Sequence, residues 1–169
     1  MNESLLQELA GHVQGKFFGK YRGIVTAVDA STMRIRASVP AVLCGTNSGW
    51  CLPCVPYAGK NVGFFFLPDV GAMVWIEFEG GDVSYPIWSG CFWSAHDIPS
   101  DASATTRGIV TSAPHKLLFD DKGDSVTITD SNNGTVALDS NGISLKRASS
   151  SAVVSPSSVS INNDAFTVQ

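Results

Sequence analysis

From position 115 onward the chain repeats one simple unit: two apolar residues separated by a single residue, followed by a turn. The doublets are Val126/Ile128, Val136/Leu138, Ile143/Leu145, Ala152/Val154, Val159/Ile161 and Phe166/Val168. They return roughly every eight residues, the spacing of a short strand plus a turn. Between them lie Asp130-Ser131-Asn132-Asn133-Gly134, Asp139-Ser140-Asn141-Gly142 and Ser155-Pro156-Ser157-Ser158, all built from residues that favour turns. A rung with so little apolar surface cannot stand alone and must stack on the next. Even the stack has almost no core if one chain makes it. Three chains wound together, each giving an apolar edge to a common axis, solve this. Residues 115–169 are therefore expected to form an obligate homotrimer, with Val126, Ile128, Val136, Leu138, Ile143 and Leu145 as the needle core.

The front half follows a different rule. Residues 1–18 begin with a short helix, in which Ser4 and Gln7 have capping-box spacing. Leu5, Leu6, Leu9 and Val13 then fall on one side of it. Gly11 and Gly15 are expected to stop it. Strands follow at Gly19–Asp29 and Thr32–Val39. The second places Met33, Ile35, Ala37 and Val39 on one face and Arg34 and Arg36 on the other. Trp50–Tyr57 carries Pro53 and Pro56, so it is expected to be a short edge strand. Phe64-Phe65-Phe66-Leu67 is wholly apolar and reads as buried on both sides. Met73–Glu79 alternates, Gly80-Gly81-Asp82 is a hairpin signal, and Tyr85–Trp88 closes the set. Several short strands with Gly/Pro turns read as a five-stranded barrel of the OB type over 19–93. Most of its aromatics are expected to be core, and those of Gly80–Trp93 to serve barrel packing and trimer contacts. Residues 94–114 are small and polar, and read as a linker, with Ile109-Val110-Thr111-Ser112 as a first extended piece.

Composition narrows the chemistry. The net charge of −4 and pI of about 5.2 leave no basic face for nucleic-acid phosphates. Charged residues make up 15% against about a quarter in ordinary domains, which suggests surface hidden in an oligomer. No run is long and apolar enough to cross a membrane. The N-terminus has no secretory n-region or h-region, so assembly is expected in the cytoplasm of the producing cell. Cys51-Leu-Pro-Cys54 invites a zinc or redox reading. Only Cys44 and Cys91 could complete it, and the four cysteines read better as small buried hydrophobes. Asp120-Asp121-Lys122-Gly123-Asp124 lacks the spacing and terminal Glu of a calcium loop. No nucleophile, base or paired-carboxylate motif appears, so neither enzyme activity nor a cofactor is expected. The competing reading is an OB module for an oligosaccharide or single-stranded nucleic acid.

Four segments then combine: Gly19-Lys20-Tyr21-Arg22-Gly23; Trp50, Pro53, Pro56 and Ala58-Gly59; Gly63-Phe64-Phe65-Phe66-Leu67-Pro68-Asp69-Val70-Gly71; and Glu77–Asp82 with Tyr85-Pro86-Ile87-Trp88-Ser89-Gly90. Together they resemble the OB domain of contractile-tail spike proteins. That family takes in baseplate assembly protein V of tailed phages, the valine-glycine repeat spike of type VI secretion, and the spikes of extracellular contractile injection systems. Pro86–Trp93 is most similar to the last group. The resemblance implies an all-β homotrimeric spike: an OB collar, then an intertwined, triangular β-helical needle in which every strand edge has a neighbour. It implies a trimeric hub protein on one side and a PAAR-repeat tip on the other. The spike would be a part of a phage tail-like particle, driven through a target cell envelope when the sheath contracts. Val159, Ile161, Ala165, Phe166 and Val168 resemble the needle end that meets the tip. Position alone assigns Leu5, Leu6, Leu9 and Val13 to the hub. No lysozyme region stands between barrel and needle, so cell-wall hydrolysis is not expected, and the hub is expected to be a separate protein.

Overall fold

The computed structural model describes residues 3–162 and 165–168; the side chains of Ser4, Leu5, Thr167 and Val168 lie outside the described residues. The chain divides into two compact units between Asp97 and Ile98.

The first unit contains a helix α1 (Glu3–Val13), β1 (Tyr21–Asp29), β2 (Arg34–Ser38), a one-turn helix α2 (Pro40–Leu43) and β3 (Leu52–Pro53). Then come β4 (Ala58–Gly59), β5 (Val62–Gly63), β6 (Met73–Phe78) and β7 (Pro86–Cys91). Five strands form one sheet in the order β2-β1-β6-β7-β3, while β4 and β5 pair only with each other. The sheet curls. Cys51, at the entrance to β3, forms a bridge to Ile35 of β2 at the far edge of the sheet, with its N–H 2.8 Å from the Ile35 carbonyl. The result resembles an OB half-barrel.

Alternation decides what fills it. Along β6, Val74, Ile76 and Phe78 are buried while Met73, Trp75 and Glu77 are half-buried on the other side. In β2, Ile35 and Ala37 point inward, leaving Arg34 and Arg36 exposed. Val25, Val39, Cys51 and Trp88 complete the core. The alternation of β1 is irregular because its register shifts between Val25 and Ala27, a bulge that adds a residue on one strand.

The Gly80-Gly81 turn is a short 3-10 segment in which both glycines have positive φ. Gly81 does more than turn the chain. Its carbonyl accepts the Phe17 N–H at 2.8 Å, and a Cβ there would come within 3.1 Å of the Phe17 nitrogen. Phe17 is thereby seated among Tyr21 and Phe78, with ring centroids 6.3 and 6.4 Å away. On the outer face, Lys20, Ser89 and Glu77 form one hydrogen-bonded group. The Lys20 ammonium and then the Ser89 hydroxyl hold the Glu77 carboxyl below its usual range.

Several expectations are corrected here. Phe64, Phe65 and Phe66 are exposed, Phe65 to 73%, and belong to no strand. Nine residues already fill the curl, so this run has no interior to enter; Phe64 and Phe66 pack on each other at 4.9 Å instead. Within Gly80–Trp93, Trp88 is core while Tyr85 and Trp93 are exposed in the single chain. Cys44, Cys54 and Cys91 are exposed, and only Cys51 is buried. Helix α1 runs through Gly11 and starts at Glu3, ahead of Ser4. The ladder of the second unit begins at Thr106, inside the stretch that reads as a linker. The extended piece expected at Ile109–Ser112 thus starts earlier, because Arg107 and Gly108 pair with Phe119 and Leu118 although neither carries a strand signal of its own.

All four tryptophans (Trp50, Trp75, Trp88 and Trp93) lie in the first unit, so indole fluorescence reads its unfolding alone. Ile76→Ala removes a fully buried side chain and is expected to destabilise this transition by about 2–5 kcal/mol. An unchanged midpoint in a urea titration would contradict the core assignment.

Candidate functional site

The second unit is a single antiparallel sheet of eight strands, each beside its neighbour in sequence. They are β8 (Thr106–Val110), β9 (Lys116–Asp120), β10 (Ser125–Thr129), β11 (Thr135–Asp139), β12 (Gly142–Arg147), β13 (Ser150–Val154), β14 (Val159–Ile161) and β15 (Phe166–Val168).

Register converts the doublets into a surface. Phe119 pairs with Val126, Val126 with Leu138, Leu138 with Ile143, Ile143 with Val154, and Val154 with Val159. A second row runs beside it: Ile109, Leu117, Ile128, Val136, Leu145, Ala152, Ile161 and Phe166. Residues two apart on a strand share a face. Both rows therefore lie on the same side of the sheet, uninterrupted from β9 to β14.

This side is open. Among the described residues of the second unit, none is fully buried. Ile128 is 51% exposed and Leu145 50%, with Leu138, Ile143 and Val154 close behind. Burying one such side chain contributes about 1.5–3 kcal/mol, so a face of this extent strongly favours cover. The strands from β9 to β14 find both ladder partners within the chain. What another copy supplies is therefore burial of the face, with backbone pairing already met.

The turns are held by their own side chains. Asp120 Oδ1 accepts the N–H groups of Lys122 and Gly123 at 3.1 and 3.0 Å. Asp130 Oδ1 accepts those of Gly134 and Asn132 at 2.7 and 2.9 Å, while Arg147 donates to its other oxygen at 2.5 Å. The Gly134 N–H is the largest of the causes that hold the Asp130 carboxyl below its usual range, with Arg147 adding to it. The ionised carboxylate thus supports the turn at neutral pH and loses that role as pH falls through its lowered pKa. Asp139 Oδ1 accepts the Asn141 N–H at 2.7 Å, and the side-chain Oδ1 of Asn162 accepts the Ser151 N–H at 2.9 Å. Gly142 has φ of 130°, and a Cβ there would lie 2.0 Å from the Val154 carbonyl oxygen. Only glycine allows β12 and β13 to pair as they do.

The six residues expected as needle core all stand on this face: Val126 and Val136 half-buried, Ile128, Leu138, Ile143 and Leu145 exposed. Val159 and Ile161 of β14 and Phe166 of β15 continue the same rows, while Ala165 precedes β15 in a turn. The backbone of Val168 pairs with Val159, but its side chain lies outside the described residues, as does that of Leu5. Leu6, Leu9 and Val13 are exposed on α1. Sequence reasoning missed Leu117 and Phe119, a doublet like the others, because Leu118 between them turns the pattern into a continuous apolar run.

Residues 21–93 match the family described as the Type VI secretion system/phage-baseplate injector OB domain. Residues 107–167 match the phage baseplate V C-terminal trimerisation domain, which supports a homotrimer. No curated protein matches the chain.

A charge on the open face tests its role. Leu145→Asp is expected to abolish the trimer in sedimentation. Lys146→Asp, one residue on and on the opposite face, should leave it intact. Equal behaviour of the two variants would show that this face is not the contact.

Proposed function

This chain belongs to the phage baseplate V family, and from that premise we propose that it is the central spike of a contractile tail or injection machine. The observation that supports the reading is the two-row apolar face, open in one chain and lying within a trimerisation domain. Three copies bring their faces together into a β-helical needle that excludes water. The OB units form its collar. A trimeric hub protein holds the collar end, and a PAAR-repeat tip protein closes the needle end at Val159, Ile161, Ala165, Phe166 and Val168. Sheath contraction then drives the spike through a target envelope.

The task calls for stiffness, with no bond made or broken. Short strands, each locked to its neighbours and capped by turn carboxylates, supply resistance to bending. Both matched domains are structural baseplate components, and the chain acts as a non-enzymatic, tail-associated part of a particle assembled inside the producing cell.

A second reading has two observations in its favour. Phe64, Phe65, Phe66 and Tyr57 line an apolar groove of about 430 Å³, and Arg36 stacks 4.7 Å from the Trp50 ring centre. An OB module for an oligosaccharide or a single strand presents such groups. The net charge of −4 disfavours the nucleic-acid form.

The tip assignment is tested with the purified trimer and a PAAR-repeat protein. The wild-type chain should capture it. Phe166→Asp, at the end of the ladder, should weaken capture by about tenfold or more while leaving the trimer mass unchanged. Undiminished capture by the variant would refute the assignment.

A further inference from the structure

Helix α1 presents its apolar side to solvent: Leu6, Leu9 and Val13 are 48%, 55% and 59% exposed. A helix of 11 residues is too short to hold itself in water. The first backbone anchor of this segment on the curled sheet comes after it, at Phe17, beyond Gly15 with its φ of 77°. The helix therefore needs a partner.

Its spacing says which kind. Leu6, Leu9 and Val13 are three and then four residues apart, the a-d-a pattern that keeps one seam facing a neighbouring helix. Ala10 occupies the e position beside the seam, so the stripe is wider than the a/d line alone. Gln7 and Glu8, at b and c, fall on the far side. His12 turns back along its own helix, with Nδ1 3.3 Å from the Glu8 carbonyl. No charge lies on the seam to specify an unlike partner. Copies of the same helix satisfy it, and the C-terminal trimerisation domain brings three of them together. Tethering raises their effective concentration enough to support contacts too weak to form between free chains.

We propose that the α1 helices of three copies associate as a short parallel three-helix coiled coil through Leu6, Leu9 and Val13. Position alone assigns this stripe to a hub; its self-complementary spacing assigns it to the chain itself. The hub then meets an assembled helical stub. The inference rests on the trimer and adds a second point of self-association to it.

The test is hydrogen–deuterium exchange on the purified full-length chain with no other protein present. Amides of residues 3–13 should exchange at least about tenfold more slowly than in an unstructured peptide. Leu9→Asp should remove that protection while the mass stays trimeric, and Glu8→Gln should retain it. A trimer whose wild-type helix exchanges freely, or gains protection only when a hub protein is added, overturns the proposal alone. So does protection that survives Leu9→Asp. A monomeric mass overturns both this inference and the reading beneath it.

Discussion

A sheet one layer thick cannot keep an apolar face in water. Domains are stable when at least two layers close on a shared core, and the second unit of this chain supplies only one. Its strands are well paired and its turns well capped, yet none of its described residues is fully buried. The missing layer has to come from outside, and the trimerisation domain matched over 107–167 indicates that it comes from other copies. Oligomerisation is thus part of how this half folds.

The first unit solves the same problem within one chain. Its sheet curls until Cys51 meets Ile35, and the two ends of one layer become the opposite walls of a core. The difference lies in how apolar residues are spent along each strand. In β6, Val74, Ile76 and Phe78 enter a closed interior; in β12, Ile143 and Leu145 are set at the same spacing on an open face. The same alternation produces a core in one place and an interface in the other.

Much of this was legible in the residues. The doublets reveal both the strands and their shared face, because alternation and turn chemistry act locally. Ile35, Ala37, Val74 and Ile76 were legible for the same reason. Phe64–Phe66 were not: an apolar run looks buried, and only the filled interior shows that it has nowhere to go. The first strand was legible only in its second half, at Ile109 and Val110; Arg107 and Gly108 carry no strand signal, and the register with β9 is what extends it back to Thr106. The use of own-chain neighbours in the ladder depends on tertiary pairing, which no short pattern encodes. The site residues on the open face could be named from the sequence, whereas its extension to Leu117 and Phe119 required the register.

The mechanical account follows from these two solutions. A self-contained first unit keeps its fold whether or not the second is assembled, and a second unit whose apolar face must be shared is complete only when all copies are in place. The most direct measurement is the solution mass of the intact chain beside a chain ending at Asp97. The account predicts three times 17.9 kDa for the intact chain and a folded monomer for the shortened one. An intact chain that is a stable monomer, or a shortened chain that remains trimeric, would contradict it.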